Sequence, residues 1–319
     1  MEVGLALPQY DYAAPGAGNR LPWEAVVEWA VEAEQAGLGS VWLADHLFMN
    51  IEKYRAAPGR HEGFEPLISL AALARATTRV QLGALVLCCQ LRPPTILAKS
   101  LATIDGLSGG RLIAGVGAGW NEPEYTEAGI AFGGPGDRLR QLADTLDVVR
   151  RMWTGADDAP PCRPGPVQKP HPPLWVGGRG DRLLELVAGH ADGWNTAWAW
   201  THAAYAERLA VLDRACQRLG RDSTTVTRPV GRFALVGENE RDLQSRFDRL
   251  LRCTPAGVLD GVSLDDWRAG RLVGTVDQVR QQLADWAGLG VSHVIAGLGA
   301  VPFAVTDLDD LHLLASAIR

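Results

Sequence analysis

SVWLADHLF, residues 40–48, is an apolar run that stops on an acid and a base, Asp45 and His46. An apolar stretch without polar alternation reads as a strand covered on both faces, the condition of a parallel strand between layers of helix. Two titratable groups where such a strand meets a loop mark a place where reacting groups can be presented.

Working outward, seven further runs have the same character: VGLALP (3–8), RVQLGALVL (79–87), RLIAGVG (111–117), LWVGG (174–178), ADGWN (191–195), VTRPVGRFALVG (226–237) and VSHVIAGL (291–298). Between them lie stretches of helical period. Pro22 opens one with Trp23, Val26, Val27, Ala30 and Val31 on one face, and Gly37 ends it. Others run from Glu65 to about Thr77, and from Pro93 with Leu97, Leu101 and Ile104 on one side. A fourth, Asp137 to Trp153, carries a stripe of Leu139, Leu142, Leu146, Val149 and Met152. Thr275 and Gln278 form an S/T-x-x-Q capping box before a helix with Val276, Val279, Leu283 and Trp286 inward. Residues 154–173 hold seven prolines and read as a stiff loop. Eight strands alternating with helices predict a (β/α)8 barrel occupying residues 1–319 as one domain. Two longer connections, 47–64 and 252–274, are candidate lids, since barrel function sits on loops.

Composition narrows the partners. With 47% hydrophobic and 21% charged residues the chain can build a core, and a net charge of −6 argues against a nucleic-acid groove. The N-terminus MEVGLALPQYDY lacks the pattern of a signal peptide, and no uncharged apolar run reaches membrane-spanning length, so a cytoplasmic protein without a membrane partner is expected. Five cysteines, Cys88, Cys89, Cys162, Cys216 and Cys253, give neither a C-x-x-C nor a zinc spacing and read as free thiols.

In a barrel of this kind the reacting groups gather where strands end. Those ends supply Pro8 and Gln9, Asp45 and His46, Val86 to Gln90, Gly117 to Asn121, Gly177 to Arg179, Trp194 and Asn195, and Gly297. An imidazole side chain can donate or accept a proton near neutral pH, which His46 could do there; the plainer reading has Asp45 capping the loop and His46 merely packed. GVGAG (115–119) is not a dinucleotide fingerprint, which needs G-x-G-x-x-G in the first βα unit. Its glycines imply close approach by a flat ring, by neighbouring backbone or by tight strand–helix packing. GGRGD (177–181) opens a helix, where free amides and Arg179 suit a phosphate, or forms a plain turn with Asp181 as N-cap. Trp194 is placed to wall a planar ligand. No H-x-H closes the first strand, so a metal site is not expected; a metal-assisted hydrolase using Asp45, His46 and His190 is the rival of another class, and a non-catalytic flavin-binding module is the other.

The ordered set ADHLF, EPLISLAALARATTRVQLGALVL, RPPTILAKSLATIDGLSGGRLIAGVGAGWNEPEY and PLWVGGRGDRLLELVAGHADGWN resembles the luciferase-like monooxygenase superfamily, most closely its coenzyme F420-dependent branch. The resemblance is dense to about residue 200 and thinner beyond. It implies a barrel with insertions, a homodimer, and the tricyclic ring of F420, or alternatively FMN, at the mouth. It puts a proton-handling role on His46 with Asp45 at its side, and a bulge with a non-proline cis peptide at Leu85–Val86 behind the ring. Gly117, Ala118 and Gly119 match the strand-four contact, with Trp120 beside them, and Gly177, Gly178 and Arg179 the phosphate contact. The F420 reading implies hydride transfer to or from an unsaturated small molecule; the FMN reading implies O2 activation by a flavin reduced on a separate reductase. One departure stands out. F420-dependent sugar-phosphate dehydrogenases place a glutamate where this chain has Trp120, and neither Glu122 nor Glu124 matches that position, which disfavours sugar-phosphate oxidation.

Overall fold

A computed structural model describes residues 1–13, 20–198 and 200–319. The chain runs β1 (Glu2–Ala6), α1 (Trp23–Ala36), β2 (Ser40–Leu43), α2 (Pro66–Ala76), β3 (Gln81–Ala84), β4 (Leu87–Cys88), α3 (Pro94–Ser108), β5 (Leu112–Gly117), α4 (Glu122–Glu127) and α5 (Pro135–Thr154). It continues β6 (Leu174–Gly177), α6 (Asp181–His190), β7 (Gly193–Trp198), α7 (His202–Arg218), β8 (Pro229–Gly237), α8 (Glu240–Cys253), α9 (Leu264–Arg268), β9 (Leu272–Thr275), α10 (Val276–Gly288), β10 (His293–Gly297) and α11 (Leu308–Ala317).

All strand pairings in the sheet are parallel, in the order β1-β2-β3-β5-β6-β7-β8, and β10 pairs with both β8 and β1 to close the ring. Those are the eight barrel strands the apolar runs predict. β3 and β4 are one strand interrupted at Leu85–Val86: β3 pairs with β5 through Leu82 and Gly83, and β4 resumes the pairing at Val116 and Gly117. A cis peptide joins Leu85 to Val86, at the position the resemblance implies. Thr154 still belongs to α5, and residues 155–173 contain no helix or strand.

The longer connection at 252–274 carries structure of its own. α9 and β9 fold inside it, and β9 extends the sheet by pairing with Ala234–Gly237, the half of β8 that runs past the barrel. Its tetrapeptide LVGT is too short to show a period, so the strand is made by the free edge of β8 rather than by local sequence. The capping box at Thr275 and Gln278 forms as read and starts α10.

Filling a closed barrel needs large side chains on some strands and their absence on others. Trp42 and Trp175 stack inside, ring centroids 5.2 Å apart, and His293 meets both edge-on. Ser40 Oγ accepts from Trp42 Nε1 at 2.7 Å and lies 2.7 Å from His293 Nε2, so a polar cluster at full burial is internally paired. Gly83 and Gly193 make the room: a Cβ there would lie 2.2 Å from the Trp42 ring and 2.5 Å from the Trp175 ring. Outside the barrel a continuous apolar layer separates strands from helices, with Leu142, Leu146 and Val149 of α5 fully buried as their spacing predicts.

Gly83→Ala is expected to destabilise the protein by about 1–3 kcal/mol through overpacking, read as a lower urea midpoint at unchanged slope. Gly106→Ala, inside α3 with no atom near the added Cβ, is the control and is expected to stabilise by about 0.5–1 kcal/mol.

Candidate active site

Adjacent residues at the end of β2 face different surroundings. Asp45 is buried and accepts hydrogen bonds from the Cys88 amide at 2.8 Å and from both terminal nitrogens of Arg92 at 2.6 and 2.9 Å. Arg92 reaches Glu65 as well. Burial works against the Arg92 charge, but hydrogen bonds and proximity to Asp45 and Glu65 outweigh it and raise its pKa. Asp45 is thus a buried anion neutralised in place; it does not line the cavity at the mouth.

His46 does line it. Its Nδ1 lies 2.6 Å from Glu124 Oε1, and the other Glu124 oxygen accepts from the Leu47 amide at 2.7 Å. A carboxylate at Nδ1 requires a proton on that nitrogen, so Nε2 is the atom left for exchange. Glu124, on α4, is buried and lies outside the cavity lining. Of the two glutamates after the strand-four glycines it is therefore Glu124, and not Glu122, that reaches the histidine, although Trp120 holds the position the resemblance assigns to an acid. Trp120 is 48% exposed and meets His46 edge-on at 5.3 Å.

The cavity measures about 450 Å³. Its floor is Leu85, Val86 and Gly117 to Gly119, and one side is formed by Gly177, Gly178 and Arg179. The close approach expected at the glycines is made by the protein itself. A Cβ on Gly117 would lie 2.5 Å from Val86 Cγ2, and one on Gly177 would lie 2.8 Å from Val86 Cγ1. Val86 is seated in this two-glycine notch, which leaves a smooth apolar shelf above it.

Trp194 is fully buried and stays outside the lining, so it does not wall a ligand. It stacks on Tyr205 at 5.1 Å and donates from Nε1 to the Gly178 carbonyl at 2.7 Å, supporting the turn from behind. Asp181 is the first residue of α6 and Gly180 its N-cap, which corrects the alternative of Asp181 as cap. His190 closes α6 and lies outside the lining; the structure does not bring it to His46 and Asp45. Burial pushes the Cys88 thiol far above its ordinary range, with Asp45 adding to the effect.

Asn195, which the sequence marks only as the end of a strand, has a further feature. It is fully buried in the cavity wall, and among the described residues neither its Nδ2 nor its Oδ1 has a partner. Leaving a buried amide unsatisfied costs about 1–3 kcal/mol. The connection 47–64 contributes Met49, Lys53 and Tyr54 to the same space. Lys53 Nζ sits 3.4 Å from the centre of the Trp120 ring. The residue keeps solvent contact, and partial burial lowers its pKa to about 8.

Among the described residues no helix is long and apolar enough to cross a membrane. The model of the luciferase-like monooxygenase family matches residues 1–293. An F420-dependent hydroxymycolic acid dehydrogenase of Mycobacterium tuberculosis is 27% identical, over 95% of this chain and 86% of its own. The fold is shared with the monooxygenase RslO1 from Streptomyces bottropensis, at a TM-score of 0.77 and 22% identity over 100% of this chain and 98% of that one. It is also shared with an F420-dependent secondary alcohol dehydrogenase in complex with an F420–acetone adduct, at a TM-score of 0.75 and 18% identity over 100% and 99%.

Lys53 is charged below its pKa of about 8 and neutral above it. Affinity for an anion at the mouth, probed with inorganic phosphate by calorimetry, is therefore expected to fall by about two- to fivefold from pH 7 to pH 9. Lys53→Met should flatten that dependence.

Proposed function

The chain belongs to the luciferase-like monooxygenase family, and on that premise we propose that it is an F420-dependent oxidoreductase acting on an unsaturated small molecule or its reduced form. The observation that carries this reading is His46, held by Glu124 with Nε2 left toward the cavity. The ring-shaped group fits the residues present. Leu85, Val86, Gly117, Ala118 and Gly119 offer it an apolar shelf, with Trp120 at the rim and the unpartnered Asn195 amide buried in the wall. Gly177, Gly178, Arg179 and the free amides that begin α6 would hold its phosphate. Trp194 acts through Gly178, and Asp45 through Cys88 and Arg92, as positioning residues.

Bound F420 supplies or accepts the hydride. His46 handles the accompanying proton: as hydride reaches the substrate, Nε2 gives a proton to the atom that gains negative charge, and in the reverse direction it takes that proton back. Glu124 keeps the imidazole in the required tautomer and orientation. Lys53 and Tyr54 crowd the opening and exclude water.

The same shelf would accept FMN. A monooxygenase fed with reduced FMN by a separate reductase is the second reading, supported by the family to which the chain belongs. Titrating the purified protein with each cofactor decides between them. F420 is expected to bind at micromolar concentration or tighter; FMN binding without F420 binding would overturn the first reading. His46→Ala should lower turnover by about 10²–10⁴-fold while leaving the F420 dissociation constant within about threefold, and Glu124→Gln should lower turnover less.

A homodimer accompanies this reading. Ile68 of α2 and Ile96 of α3 are 74% and 56% exposed on helices that pack on each other, and these two side chains are the proposed contacts with a second copy. Light scattering is expected to give a dimeric mass, and Ile68→Asp with Ile96→Asp a monomeric one.

A further inference from the structure

Beyond the site just described, a second cavity of about 820 Å³ opens between the connections 47–64 and 252–274. It joins the first through Lys53, Tyr54, Arg179, Ala197, Trp198 and Trp200, which line both. Its volume falls within the range of small-molecule sites.

Its walls combine two chemistries. Trp198 stacks on Phe233 at 5.0 Å, Phe233 meets Trp267 at 6.0 Å, and Val258, Leu259 and Val262 continue the apolar surface. Against this stand four cations, Lys53, Arg55, Arg179 and Arg271. Among the described residues none of the four is in an ion pair, although Arg92, Arg246, Arg249 and other arginines elsewhere in the chain are paired. The one carboxylate in the lining, Asp266, is held by the Ser263 hydroxyl and amide. A net charge of −6 makes a cluster of uncompensated positive charge in one apolar cleft a local feature, not a property of the whole surface.

Arg271 is fixed for recognition. Its guanidinium lies 3.9 Å from the Trp267 ring centre, and Nη1 donates to the Trp267 and Ala269 carbonyls at 3.0 and 3.1 Å. Its Nε has no partner. Behind it Arg232, buried and likewise without a carboxylate, ties the Trp200 and Gly270 carbonyls together. A planar guanidinium fixed in this way presents its remaining donors to a carboxylate at low entropic cost.

Resting on the oxidoreductase reading above, we propose that the substrate is an apolar organic acid, its hydrocarbon or aromatic body against Trp198, Phe233 and Trp267 and its carboxylate on Arg271 and Arg55. Sugar phosphates, which have no apolar body, do not match these walls.

The test uses the full chain and three probes of one shape: 2-naphthylacetate, 2-naphthylacetamide and 2-naphthylethylamine, with binding followed by calorimetry in the presence and absence of F420. The acid is expected to bind about tenfold tighter than the amide, and this advantage should shrink to about threefold or less in Arg271→Gln. Arg55→Gln, on an exposed turn, should reduce it as well and carries the comparison if the first variant fails to fold. Equal binding of acid and amide, or preference for the amine, overturns the proposal. So does a loss of F420 affinity in either variant with naphthylacetate binding unchanged, which would assign these cations to the coenzyme's anionic tail. Failure of wild type to bind F420 would remove the coenzyme assignment, and it is distinguishable because acid-over-amide selectivity is measured without F420 too.

Discussion

The constraint on which the molecule depends is the exchange of volume between neighbouring strands. Two indoles fill the barrel because Gly83 and Gly193 recede before them, and one layer higher Val86 fills the notch left by Gly117 and Gly177. Interiors pack at crystal density, so each large side chain fixes the position of the strand that must yield to it. The lower exchange sets where β2, β3, β6 and β7 lie. The upper exchange sets where the interrupted strand resumes, and so the height of the shelf on which a ring can rest.

The second organising principle is how charge is handled at a strand end. Asp45 and His46 are consecutive, yet Arg92 and the Cys88 amide take up the first while Glu124 orients the second. Removing one partner from a buried ion pair leaves an uncompensated charge, at a cost of about 3–5 kcal/mol. Asp45 therefore serves the architecture, and its neutralisation keeps a second negative charge from competing with Glu124 for the imidazole.

Much of this was legible in the sequence, for physical reasons. The eight apolar runs reveal barrel strands because burial on both faces leaves no polar alternation, and α5 declares itself through a stripe whose members are buried. Strand ends located His46 and the floor residues because the barrel mouth gathers them. What stayed hidden depends on contacts distant in sequence. The Glu124 partnership spans 78 residues, and only the EPEY segment, one helical turn past the strand-four glycines, hinted at it. β9 exists because β8 has an edge to offer. Asn195 differs from any other strand-end amide only in lacking partners, which no pattern of residues reveals. Trp194 was placed in the wall by its position along β7, but alternate strand residues point to opposite faces, and its face is the one packed on Tyr205.

The nine residues of β8 belong to two ladders. Pro229–Phe233 help to close the barrel through β10, and Ala234–Gly237 carry β9 beyond it. The outer wall of the larger cavity is in this way welded to the most protected part of the molecule at one end, and Ser263 caps α9 near the other. The stretch 254–262 between α8 and α9 has no helix or strand, yet Val258 and Leu259 within it are buried in one cluster with Phe233 and Trp267, so even this irregular wall of the cleft is packed on the frame.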